Sequence, residues 1–144
     1  MSVSYSEIFD VATTLSKQRD AEGGPCEASL RSAASRAYYA ALHAAISTIP
    51  DQFMPTEAEL ESKDSHKTII DAVAAWGNSL TPGRTEAKMM GREFPRLKRL
   101  RKNADYGISS DFTTVETDEA IARATKILRN VKIATAKCSP AQQA

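Results

Sequence analysis

The chain has 144 residues, 42% of them hydrophobic, and a formal net charge of +1. That length suits one domain able to bury a real core, and the near-neutral balance excludes a protein that binds nucleic acid through charge spread over its whole surface. The two cysteines, Cys26 and Cys138, lie far apart without a CxxC spacing, which reads as free thiols in a reducing compartment rather than a disulfide framework.

The N-terminal stretch MSVSYSEIFDVATTL lacks a basic region ahead of an apolar core, so it does not read as a signal peptide. Ser4 and Glu7 form an S-x-x-E capping box, after which Ile8, Val11, Ala12 and Leu15 recur at helical spacing. The first helix ends before EGGP, and Pro25 is placed to open the second. That second helix, about Cys26 to Thr48, carries a stripe of Leu30, Ala34, Ala37, Ala41 and Ala44. The longest uncharged run, Ala37 to Pro50, falls short of the roughly 20 residues of a membrane span. A soluble, cytoplasmic protein with no membrane partner is the expectation.

IPDQFMPTEAELES reads as a loop punctuated by Pro50 and Pro55. A third helix is predicted over about Asp64 to Asn78, with Ile69, Ile70, Val73 and Trp76 inward. A fourth runs to about Tyr106, with Pro95 either kinking it or marking its start, Leu97, Leu100 and Ala104 inward, and Gly107 as its stop. From Arg84 to Lys102 eight basic residues face two acidic ones, a local +6, while the remainder holds eleven basic and sixteen acidic residues, or −5. Such a segment is either a solvated helix face or a surface for an anionic partner. Thr117, with Asp118 and Glu119 behind it, is the expected cap of a fifth helix presenting Ile121, Ala124, Leu128 and Val131. No segment alternates with period two. The predicted fold is therefore all-α, an up-and-down bundle of four to five antiparallel helices over residues 1–135, with a flexible, frayed tail at 136–144.

Arg36, Tyr39 and His43 share a second face of the second helix, seven residues from end to end. They face solvent or a partner, or else Arg36 pairs with an acid while the aromatics pack. On the fourth helix Arg101 and Asp105 stand at i, i+4 at the edge of the core, followed by Tyr106. The histidines, His43 and His66, have no metal-ligand spacing, and no phosphate-binding glycine loop or G-x-S-x-G turn is present, so no metal or cofactor is expected.

Ser35, Arg36, Tyr38, Tyr39, Ala40 and His43 in SRAYYAALH, followed by Arg101, Ala104, Asp105 and Tyr106 in RKNADYG, resemble the HEPN superfamily. The likeness is to small prokaryotic members with an S-R-x-Y-Y-A-x-x-H helix and a later R-x-x-A-D-Y helix. His66, in SHKTII, falls where that branch often has a Lys-His or His-Lys pair. The resemblance implies a helical bundle, usually a homodimer. It also implies a metal-independent ribonuclease that serves as the toxin of a toxin–antitoxin or phage-defence pair, beside a small nucleotidyltransferase antitoxin. Arg101 takes the catalytic arginine position, with Asn103 nearby, but Tyr106 stands where the histidine is expected. His43 is then the candidate base and Arg101 the cation that stabilises charge on phosphorus. Tyr106 and Asp105 complete the catalytic set, and Ser35, Arg36, Tyr39, Asn103 and His66 form a supporting polar shell. Arg96, Lys98, Arg99 and Lys102 are the expected RNA contacts. The alternative is a non-catalytic module that binds RNA, a nucleotide or a partner nucleotidyltransferase.

Overall fold

Ser4 begins the first helix as expected: its hydroxyl oxygen accepts the Glu7 backbone N–H at 3.2 Å. The Glu7 carboxylate accepts from the Ser4 hydroxyl rather than from its backbone N–H, so the capping box is only half made. The computed structural model describes residues 3–138. Their helices are α1 (Tyr5–Ser16), α2 (Glu27–Thr48), α3 (Glu57–Glu61), α4 (Ser65–Gly77), α5 (Arg84–Tyr106) and α6 (Thr114–Cys138). The chain is an all-α helical bundle with no strand among the described residues. No helix among these residues is long and apolar enough to cross a membrane.

The chain divides into two compact units, Met1–Ala41 with Pro95–Thr125 and Leu42–Phe94 with Lys126–Ala144. In the first unit, Leu30, Ala34 and Ala37 of α2 are buried, as are Leu97, Leu100 and Ala104 of α5 and Ala120 and Ala124 of α6. The alanine stripe lets neighbouring backbones approach closely, and Tyr38 and Phe112 supply the bulk that alanine lacks. Arg31 reaches the Gly107 carbonyl, Ser35 the Asp105 carboxylate and Tyr38 the Arg101 guanidinium, an order that shows α2 and α5 running antiparallel here.

The second unit is built around Trp76 of α4, fully buried with Val73, Met90, Phe94, Ile127 and Val131. The Trp76 indole N–H donates to the Pro82 carbonyl at 3.0 Å. The next residue, Gly83, has φ of +86° and presses on the indole so closely that a Cβ there would lie 2.6 Å from its ring. Lys137 pairs with Glu86 at 2.8 Å and Lys126 with Glu93 at 3.8 Å, so α5 and α6 are antiparallel in this unit.

Several boundaries differ from the expectations. Pro25 does not open α2: it forms an isolated bridge with Arg19, and the Cys26 carbonyl accepts the first helical N–H, from Leu30. The segment read as a loop holds a 3₁₀ turn at Asp51–Phe53 and α3, which Thr56 and Glu59 start with a complete capping box. Ile70 is only half buried, and Ala72 joins the inward face of α4 in its place. Pro95 is not the start of α5 but lies inside it, its ring on the exposed side. Proline has no N–H for the carbonyl four residues back, and that residue is Gly91, around which a Cβ would meet open space.

Thr117 is not the cap of α6. Thr113 is, accepting the Val115 N–H at 3.3 Å while the Glu116 carboxylate accepts the Thr113 backbone N–H at 2.8 Å. Thr117 instead lies fully buried one turn in, donating its hydroxyl to the Leu30 carbonyl at 3.0 Å. On α6, Ile121 and Leu128 are half buried, and Ala120, Ile127 and Ala134 join Ala124 and Val131 in the core. The helix continues to Cys138, three residues into the expected tail, where the Lys137–Glu86 pair ties it down. The remainder of that expected tail, 139–144, lies outside the described residues.

Candidate functional site

In the first unit, α2 and α5 bring the two halves of the sequence signature together. Asp105 Oδ2 lies 3.4 Å from Arg101 Nη1 and 3.4 Å from the Ser35 hydroxyl that donates to it. One carboxylate oxygen thus joins the two helices. The Arg101 guanidinium lies 5.2 Å from the centre of the Tyr38 ring and 6.0 Å from that of Tyr106. Tyr38 in turn packs edge-on against Tyr39, with ring centres 5.6 Å apart. These separations suit a cation resting against aromatic faces.

Burial divides the roles. Arg101 is only 8% exposed, and its Nε–H is buried without a hydrogen-bond acceptor among the described residues. Burial alone would lower its pKa, but Tyr39, Asp105 and Tyr38 outweigh that and hold it above the ordinary arginine value. The cluster therefore keeps a fixed positive charge. Burial pushes the Tyr38 phenol up to about 12, and the Arg101 charge pulls only part of that back. Tyr106, by contrast, is 72% exposed.

Beside this buried cluster lies an open recess of about 440 Å³ between α2 and α5, lined by Arg31, Ser32, Ser35, Arg36, Tyr39 and Asp105, with Ala104. Arg36 is exposed and makes no ion pair among the described residues, so its guanidinium is available to an anion. Arg31 is committed elsewhere. Its Nη1 donates to the Asn103 and Ala104 carbonyls at 3.0 and 3.1 Å, its Nη2 to Gly107 at 3.2 Å and to Ser110. It also rests 5.4 Å from the centre of the Phe112 ring. The first two carbonyls belong to the last turn of α5, which has no basic residue of its own, and the other two to the loop after it, so Arg31 supplies the missing cation from α2.

Of the expected RNA contacts, Lys98 and Lys102 precede Asp105 by seven and three residues, which puts them on its side of α5. Arg96 and Arg99 are exposed on the side of α5 away from its buried stripe. Asn103 is exposed and contributes its backbone carbonyl, not its amide, to the Arg31 contact. Neither unit by itself joins a histidine to Arg101: His43 is exposed on α2 and His66 half buried in the first turn of α4, both in the second unit.

Two contacts of this site are not set by local spacing. Tyr38 belongs to the signature, but its packing under Arg101 depends on where α5 lies. Arg31 did carry a local signal, since Glu27 stands four residues before it and the two pair at 3.4 Å. Among the described residues no group of three or more His, Cys, Asp and Glu gathers in a way that could hold a metal ion. No family model, curated protein or solved structure matches the chain in comparisons with known proteins.

Proposed function

We propose that the chain is a HEPN-type RNA-binding module that seats a backbone phosphate of single-stranded RNA on Arg36. One observation carries this reading. Arg36 is an exposed guanidinium with no acid of its own, set in a recess that also offers the Ser32 and Ser35 hydroxyls. Guanidinium and hydroxyl donors together suit phosphate oxygens, and the accessible Asp105 carboxylate suits a ribose hydroxyl or a base amine. Lys98 and Lys102 extend the positive charge along α5. The test is fluorescence anisotropy of a labelled single-stranded RNA with the full chain and with Arg36→Ala. Binding that falls with rising salt and weakens at least about tenfold in the variant supports the proposal. Equal affinity of the two proteins overturns it.

A second reading, the metal-independent ribonuclease, is favoured by the buried Arg101 Nε–H, a charged donor without an acceptor. On this reading a ribose 2′-OH attacks phosphorus and gives its proton to a general base, Tyr106 protonates the departing 5′ oxygen, and a 2′,3′-cyclic phosphate remains. The activity fits the toxin of a toxin–antitoxin or phage-defence pair held in check by a nucleotidyltransferase antitoxin, with a homodimer as the working form. Incubation with an RNA pool in EDTA decides it. Cleavage abolished by Arg101→Ala and by His43→Ala supports the reading, and cleavage that survives both sinks it.

A further inference from the structure

In the second unit, α5 and α6 leave a groove of about 490 Å³ between them. Its apolar floor includes Met89 and Ile133, which remain 45% and 42% exposed. Met89, Arg92 and Glu93 line it from α5, and Lys126, Arg129 and Ile133 from α6. The lining runs from Glu86 to Glu93 on α5 and from Lys126 to Ile133 on α6, so the groove extends over about 10 Å, two helical turns.

Its charges are not balanced. The two acids are occupied, Glu86 by Lys137 at 2.8 Å and Glu93 by Lys126 at 3.8 Å. Arg92 and Arg129 have no acid among the described residues, and both are exposed. The antiparallel pairing of Glu86 with Lys137 and of Glu93 with Lys126 sets position 92 of α5 opposite position 129 of α6. Two guanidinium groups thus flank one groove without an ion pair of their own among the described residues, an arrangement that a carboxylate would relieve.

We propose that this groove docks an acidic amphipathic helix of a partner protein. Two turns of such a helix place one or two branched apolar side chains against Met89 and Ile133, and glutamates on its flanks reach Arg92 and Arg129. The apolar floor is what favours a helix over nucleic acid here, since a phosphate backbone gains nothing from methionine and isoleucine.

The experiment uses the full chain and three labelled probes read by anisotropy. The first is a peptide with leucines at i, i+3, i+4 and i+7 and glutamates beside them. The second has the same composition scrambled to break that spacing, and the third is a single-stranded RNA. The proposal expects the first peptide to bind at least about tenfold more tightly than the scrambled one, and to lose about tenfold or more in both Arg92→Glu and Arg129→Glu. Ile133→Ser should weaken it with little change in salt dependence, whereas the charge reversals should flatten that dependence. Circular dichroism of each variant checks that the helices persist. Equal binding of the two peptides, or no binding of either, overturns the proposal. So does loss of RNA binding in the charge-reversed variants, which would make the groove a nucleic-acid surface.

Discussion

The Arg101 guanidinium carbon lies 5.2 Å from the centre of the Tyr38 ring, and both side chains are withdrawn from solvent. Arg101 is thereby both a buried charge and a packing element. Arg101→Ala leaves Asp105 Oδ2 without its cation and opens space above the ring. With Asp105 still 29% exposed, water offsets part of that loss, and the expected cost is about 2–3 kcal/mol in urea unfolding. Arg101→Met keeps most of the packing and removes only the charge, so it should fall between the parent and the alanine variant.

The raised Tyr38 phenol gives a pH signature. The folded chain holds this proton up to about 12, while an unfolded tyrosine releases it near 10. Between those values the unfolded state binds fewer protons, so stability falls as pH rises from about 10 towards 12 and is fully present below that window. Phenolate absorbance should show a late-titrating component that disappears in Tyr38→Phe. The same spectrum with and without that substitution would contradict the assignment.

Arg31 caps a helix from a distance. Arg31→Ala removes charged hydrogen bonds to the carbonyls of Asn103, Ala104, Gly107 and Ser110, and is expected to cost about 2–4 kcal/mol. Hydrogen exchange should speed up in residues 104–112 first. Arg31→Lys keeps the charge but cannot reach all four acceptors, so it should recover only part.

Gly83 tests the second unit. Gly83→Ala combines a φ of +86° with a Cβ driven into the Trp76 ring, an expected loss of about 2–4 kcal/mol with a change in the fluorescence of the single tryptophan. Gly91→Ala, with nothing near its added Cβ, should by contrast leave stability unchanged or slightly raised.

The parts of this fold that were legible from sequence are those set by local period. The alanine stripe of α2 and the Leu97–Leu100–Ala104 stripe of α5 are buried where their spacing put them, and Arg101 and Asp105 pair as i, i+4 neighbours do. Misreadings came where two local signals competed. Thr113 and Thr117 both precede acidic residues, but only Thr113 has the glutamate three positions on that returns to its N–H. Pro95 offers a boundary signal, yet its ring sits on the exposed side and the buried Met90, Phe94, Leu97 and Leu100 on either side of it keep α5 continuous. The recess around Arg36 could only be half read, because its other wall comes from residues some seventy positions away, and a partner at that range leaves no mark in local spacing.

The proposed seat for RNA is tested most directly by ultraviolet cross-linking of a single-stranded RNA to the full chain, followed by mapping the adducts. The account expects them on the α2 segment containing Arg36 and Tyr39, with further adducts at Tyr106, and expects the α2 adducts to vanish in Arg36→Ala. Adducts confined to other helices, or undiminished in that variant, would contradict it.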